Sequence, residues 1–133
     1  MRAAVTIAFA WALFAAPPLF AAEGKLADVV LSDSENGSAK AVYATTAPKI
    51  YLRAKLVDIP KGSKVKAVWI AEKTKVAPPN YEIDAKELGV GAVANRVDFS
   101  MSKPSAGWPE GDYRVDVQIN GKTVQSVKFK VGG

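Results

Sequence analysis

Residues 108–122 read Trp108-Pro109-Glu110-Gly111-Asp112-Tyr113-Arg114-Val115-Asp116-Val117-Gln118-Ile119-Asn120-Gly121-Lys122, and the fold follows from this stretch. Tyr113, Val115, Val117 and Ile119 alternate with Arg114, Asp116 and Gln118, the period of a strand with one face buried. Asn120-Gly121 then supplies the two-residue loop that tolerates positive φ at both positions, and a second apolar run follows over residues 122–131. Two alternating runs around Asn-Gly predict an antiparallel hairpin.

Working back from the hairpin, the same period of two recurs. Residues 49–58 place Ile50, Leu52, Ala54 and Leu56 on one face and Lys49, Tyr51, Arg53 and Lys55 on the other. Residues 64–72 set Val65, Ala67 and Trp69 against Lys64, Lys66, Val68 and Ile70, so that the second face is half apolar. Further strands are predicted over residues 26–31, in a short run at 81–83, and over 93–101, where Val93, Val97, Phe99 and Met101 alternate with polar residues. Ser32 to Ser38, with Asn36-Gly37 favouring positive φ, and Ile59-Pro60-Lys61-Gly62 are the turns between them. Residues 81–88 are the one mature segment able to form a helical turn or two. The expectation is an all-β fold of about seven antiparallel strands packed as two sheets.

Trp69 in the third strand and Tyr113 at the start of the sixth stand where immunoglobulin domains bury a tryptophan between sheets and set a tyrosine corner. The segment from Trp108 to Lys122 resembles the C-terminal hairpin of exported bacterial immunoglobulin-like modules, with the pattern W-P-x-G-x-Y-x-V-x-V-x-x-x-G, and Ile59-Pro60-Lys61-Gly62-Ser63-Lys64-Val65 leading to Trp69 fits the same group. The resemblance implies an immunoglobulin-like two-sheet sandwich and carries no active site with it. The antibody disulfide is missing: Val115 stands at the second cysteine position and Leu52, Ala54 or Leu56 at the first. Packing around Trp69 has to replace that bridge, and its truncation to Ala is expected to cost about 3–5 kcal/mol.

The N-terminus starts Met1-Arg2 and runs from Ala3 to Ala22 with Thr6 as its one polar residue, the profile of a secretory signal. The expected organisation is a signal helix over residues 1–22, broken near its end by Pro17-Pro18, and one domain over 23–133. An uncleaved membrane anchor is the alternative. A periplasmic or secreted location follows, and contact with a membrane is expected only if the segment is retained.

Of 133 residues none is Cys or His. Thiolate and imidazole chemistry are thereby removed, together with the usual zinc and haem ligand sets and lipid attachment to an N-terminal cysteine. No cofactor and no catalytic residue is expected. Ser100-Met101-Ser102-Lys103 has the S-x-x-K spacing of serine acyltransferases but lies in an alternating strand. Asp33-Ser34-Glu35-Asn36-Gly37 brushes against a calcium loop with its glycine one place early, and Gly89-Val90-Gly91 lacks the third glycine of a phosphate cradle. Asn36-Gly37-Ser38 fits a glycosylation acceptor. Glu82, Asp84 and Glu87 form the densest group of carboxylates, expected in a solvated connection.

Charge is distributed unevenly. Residues 40–75 hold nine Lys or Arg against Asp58 and Glu72, whereas residues 76–116 hold seven acids against four bases. Lys49, Arg53 and Lys55 share one strand face and Lys64 and Lys66 another, so an anionic envelope polymer is the expected partner class, beside an unknown protein. Nucleic acid is not expected, because arginines are few and aromatics are not interleaved with the lysines. Trp108, in the loop Ser105-Ala106-Gly107-Trp108-Pro109, is either a binding tip or a cover for one end of the core. The reading that follows is a non-enzymatic exported binding or structural module, with a secreted-protease or lysozyme inhibitor as the alternative. Gly89 to Ala92 and Gly107-Trp108-Pro109 resemble two loops of the immunoglobulin-like cysteine-protease inhibitors, whose Asn-Pro-Thr-Thr-Gly loop is replaced here by Ile59-Pro60-Lys61-Gly62.

Overall fold

The computed structural model describes residues 24–91 and 95–132. The expected signal helix, and Val93 at the start of a predicted strand, lie outside the described residues. Eight strands follow in order: β1 (Lys25–Ser32), β2 (Val42–Tyr43), β3 (Lys49–Val57), β4 (Lys64–Thr74), β5 (Tyr81–Gly89), β6 (Arg96–Ser102), β7 (Gly111–Ile119) and β8 (Lys122–Val131). They make a three-stranded sheet, β1-β3-β6, and a five-stranded sheet, β2-β8-β7-β4-β5. Strand β5 sits beside β4, where variable-type immunoglobulin domains add their extra strand.

Turn chemistry fixes the connections that the sequence marks most clearly. Asn120 and Gly121 have φ of 50° and 87°, so both central residues of the β7–β8 turn are left-handed, as a type I′ hairpin needs. Gly62 has φ of 91°, and the Ser63 amide donates to the Pro60 carbonyl at 3.1 Å, a type II geometry. Gly37 behaves otherwise than expected. It is not left-handed among the residues with positive φ; its amide closes a turn on the Ser34 carbonyl at 3.1 Å, the last position of a turn rather than its centre.

Inward-facing positions of both sheets meet in one core, with Leu31, Ile50, Leu52 and Phe99 on one side and Val65, Trp69, Val115 and Val117 on the other. Trp69 is 1% exposed and packs edge-on to Phe129, which also stacks on Tyr113 at 5.2 Å. The Tyr113 hydroxyl donates to the Pro109 carbonyl, making the tyrosine corner. Opposite Trp69, across the β4–β7 register, stands Val115, an apolar side chain in the place of the missing cysteine.

Two expectations are corrected. There are eight described strands rather than seven, and β2 runs parallel to β8, Val42 facing Lys130 and Tyr43 facing Val131. Residues 81–89 form one continuous strand against β4, so Glu82, Asp84 and Glu87 lie in regular structure instead of a connection. Val68 and Ile70, on the outer face of β4, are only 6% and 8% exposed. As the strand between β5 and β7, β4 sets Val68 between Ala85 and Asp116, and Ile70 between Glu82 and Arg114.

Candidate functional site

The alternation of β3 turns Ile50, Leu52 and Ala54 into the core and therefore Lys49, Tyr51, Arg53 and Lys55 outward, on the middle strand of the three-stranded sheet. Its neighbours add Lys25 and Arg96. Register sets Tyr51 between Ser32 and Ser100, Arg53 opposite Asp98, and Lys49 opposite Ser102. On its three strands this face holds five cations against two carboxylates, Asp28 and Asp98, and Glu35, in the turn after β1, also acts on Arg96. Both strand acids are engaged. Arg96 grips Asp98 with two bonds of 2.7 and 3.0 Å, and that hydrogen bonding raises the Arg96 pKa above its ordinary value. Lys55 lies 3.3 Å from Asp28. Lys49 and Arg53 make no ion pair among the described residues, and Nη1 of half-buried Arg53 is enclosed without a hydrogen-bond partner.

Lys64 and Lys66 are not brought to this face. With Val65, Ala67 and Trp69 pointing into the core, the two lysines look out from the five-stranded sheet, on the far side of the sandwich. There Lys66 stands opposite Glu87, and cations and carboxylates balance. Arg114 is the hub of that balance: it bonds Asp116 at 3.1 Å, Glu72 at 3.1 Å and Asn80 at 2.9 Å, while Ser126 donates to Asp116 at 2.6 Å. Burial works against the charge on Arg114, but the bonds to Asp116 and Glu72 outweigh it, and its pKa lies above the ordinary value.

Trp108 resolves in favour of a cover. It is 2% exposed, its Nε1 donates to the Ala47 carbonyl at 2.8 Å, and its ring meets Tyr113 edge-on at 6.1 Å. One side of it floors an open groove of about 400 Å³ at the end of the sandwich, bounded by Val76, Pro78, Tyr81 and Ile83 on one flank and Pro104 and Pro109 on the other. Sequence reasoning missed this groove, because its flanks come from segments almost thirty positions apart and neither carries a motif.

The remaining motifs dissolve on inspection. Ser100 and Lys103 lie along and just past an extended strand, not one helical turn apart. Lys40 pairs with Asp33 at 3.0 Å. Val90 is buried and exchanges backbone bonds with Gly62 and Ser63 at 2.9 and 2.8 Å, so this glycine-flanked segment straps a turn. Glu82 and Glu87 face outward across from Ile70 and Lys66, whereas Asp84 is paired with Trp69, which divides the three acids between two faces. Among the described residues no group of three or more acids could hold a metal ion.

No protein-family model matches the chain. No curated protein matches it by sequence. Among solved structures it is similar to the Pseudomonas fluorescens alkylpurine DNA glycosylase bound to DNA containing an abasic site analog, with a TM-score of 0.53 and 20% identity over 87% of this chain. The match covers 32% of the glycosylase, so the chain spans about a third of that protein's length. It is also similar to an immunoglobulin-like protein from Pseudomonas aeruginosa, with a TM-score of 0.52 and 15% identity over 81% of this chain and 90% of that one. At such identities the likeness is one of fold, and the fold is immunoglobulin-like.

Proposed function

We propose that the protein is a non-enzymatic, exported binding module that engages an anionic envelope polymer through the outer face of its three-stranded sheet. The observation that carries this reading is the contrast between the two outer faces. One bears five cations against two acids on its strands, both acids already paired; on the other, Arg114, Lys128 and Lys130 are paired with Glu72, Asp116 and Asp112, and Lys66 stands opposite Glu87 in register. A face with uncompensated charge attracts polyanions at a distance, and a neutralised one does not. Tyr51 and the hydroxyls of Ser100 and Ser102 add hydrogen-bonding capacity between the cations. The non-enzymatic part of the reading is supported by a chain without Cys or His and by the separation of Ser100 from Lys103 and of Asp84 from Glu82 and Glu87. Export is supported by the apolar N-terminal segment. With Trp108 packed as core, no exposed wedge favours the inhibitor reading.

The test is retention on immobilised dextran sulfate. Lys49→Glu/Arg53→Glu is expected to elute at markedly lower salt than the parent, while Lys64→Glu/Lys66→Glu, the same change in net charge, shifts elution little. Equal shifts from the two pairs would show that net charge alone is read and would overturn the assignment of the face.

A further inference from the structure

The chain holds two Asn-Gly pairs, Asn36-Gly37 and Asn120-Gly121, and the fold treats them differently. An asparagine followed by glycine is the pair in which a backbone nitrogen most readily attacks the preceding side chain, because no Cβ shields that nitrogen. The carboxamide carbon has to swing onto the nitrogen, so whatever holds either group slows the reaction.

Asn120 is held twice. Its Oδ1 accepts from the Lys64 amide at 2.9 Å, and its own amide donates to the Lys64 carbonyl at 2.8 Å, which ties the turn to the first residue of β4. The ladder of β7 and β8 closes directly around it, with Ile119 facing Lys122. The Asn36 side chain, by contrast, is exposed and makes no hydrogen bond among the described residues. Its turn stands between β1 and β2 with no ladder around it. One bond closes that turn, from the Gly37 amide to the Ser34 carbonyl at 3.1 Å, toward the long end of such bonds.

The same turn lies on the outer face of the three-stranded sheet. Ser32 is the register partner of outward-facing Tyr51, yet it is 0% exposed, and a Cβ on Gly37 would come within 3.5 Å of the Ser32 Cβ. Residues 34–37 therefore fold back over Ser32. Of the two acids already in this segment, Asp33 is bonded to Lys40 at 3.0 Å, while Glu35 acts on Arg96 across the face.

We infer that Asn36 is a site of spontaneous deamidation: in the folded protein it converts to aspartate and isoaspartate while Asn120 is spared, and the new carboxylate weakens the hold of the basic face on polyanions. The Gly37 nitrogen bonds to the Asn36 Cγ, the Cγ–Nδ2 bond breaks, and the proton lost by the amide leaves, through solvent, with the departing ammonia. Water then opens the cyclic imide. Cleavage of the bond from Cγ to the Gly37 nitrogen gives aspartate; cleavage of the bond from the backbone carbonyl carbon gives isoaspartate, whose main chain runs through Cβ and is one carbon longer. Either product adds one negative charge. The effect on binding rests on the polymer reading of the basic face, whereas the modification itself does not.

The test is peptide mapping of the purified protein after incubation at mildly alkaline pH, beside a sample unfolded in guanidinium. Trypsin separates the two sites into residues 26–40 and 115–122; mass spectrometry reads the acid in each, and chromatography resolves the isoaspartyl form. In guanidinium the two pairs convert at similar rates. In the folded protein Asn36 outpaces Asn120 by about fivefold or more, the factor that one additional hydrogen bond gives. Ser34→Ala/Gly37→Ala, in which the first change removes the oxygen 2.2 Å from the new Cβ, loses the product in residues 26–40 and keeps the slow conversion of Asn120. On dextran sulfate Asn36→Asp elutes at lower salt than the parent, and Asn120→Asp, the same change in net charge, shifts elution less. Equal conversion of the two asparagines in the folded protein, or absence of isoaspartate from residues 26–40, would overturn the site. Equal elution of Asn36→Asp and Asn120→Asp would overturn its effect on the face. Failure of Lys49→Glu/Arg53→Glu to shift elution would defeat the polymer reading and that effect with it, and the mapping result would stand apart.

Discussion

Gly111 and Gly121 invite the same substitution with unequal consequences. Both have positive φ, 150° and 87°, so replacing either by Ala places a side chain in a backbone region that costs about 1–2 kcal/mol; the loss of unfolded-chain freedom, about 0.4–1 kcal/mol in the other direction, is shared by both. What differs is space. A Cβ on Gly121 meets nothing within 4 Å, whereas one on Gly111 falls 2.1 Å from the Lys73 carbonyl oxygen and 2.9 Å from Thr74 Cγ2. That oxygen belongs to the strand to which Gly111 is paired, so relief requires β4 and β7 to part at Thr74–Gly111 and Lys73–Asp112. Two ladder positions at about 1 kcal/mol each make Gly111→Ala roughly 2–3 kcal/mol worse than Gly121→Ala. Urea unfolding followed by tryptophan fluorescence reads this directly: with m between about 1 and 3 kcal/mol/M, the Gly111→Ala midpoint falls about 1 M below that of Gly121→Ala at unchanged m. Coincident midpoints would refute the claim that close approach of the β4 backbone, rather than φ alone, holds glycine at position 111.

Trp108→Phe keeps most of the apolar contact but leaves the Ala47 carbonyl without its indole donor; a loss of about 1–3 kcal/mol is expected in the same unfolding assay, and a loss under 0.5 kcal/mol would dismiss the bond. Burial pushes the Tyr113 phenol up to about 12 and that of Tyr43 higher still. Because the folded state holds the neutral form, their contribution to stability is complete below pH 10 and for Tyr113 is lost as pH climbs from 10 through about 12. Spectrophotometric titration should therefore show late-ionising phenol that Tyr113→Phe reduces, and an unchanged curve in that variant would contradict the burial argument. Arg114→Met strips Glu72 and Asp116 of their shared cation and is expected to cost about 2 kcal/mol, with Glu72→Gln giving less than an additive loss in the double variant; strict additivity would mean the two do not interact.

The parts of the fold that were legible are those whose instructions are local. Asn120-Gly121 and Pro60-Lys61-Gly62 set their own dihedrals, and the burial of Trp69 and Val115 follows from strict alternation. Strand β2 was not legible because two residues, Val42 and Tyr43, carry no periodicity; their pairing with β8 depends on a segment nearly ninety positions away. In β5 the acids Glu82, Asp84 and Glu87 read as loop, since an edge strand that overhangs the facing sheet needs no apolar alternation. The division of the candidate cations Lys49, Arg53, Lys55, Lys64 and Lys66 between opposite faces was hidden, and so was the addition of Lys25 and Arg96: counting lysines along a chain cannot tell which sheet a strand joins. Of the two roles read for Trp108, binding tip or cover, its burial at 2% exposure favours the cover, and the groove beside it required the 76–83 and 104–109 segments to be brought together, for which no short-range signal exists.

The parallel clasp of β2 on β8 carries a mechanical consequence. The Lys130 amide bonds the Ala41 carbonyl at 2.8 Å and the Gly132 amide the Tyr43 carbonyl at 2.9 Å, so the final strand is gripped on both of its edges, by β7 and by β2. Strands that point the same way and are tugged from opposite ends slide past one another, and their bonds bear the load together instead of unzipping one at a time. Pulling the two termini apart would therefore load this clasp in shear.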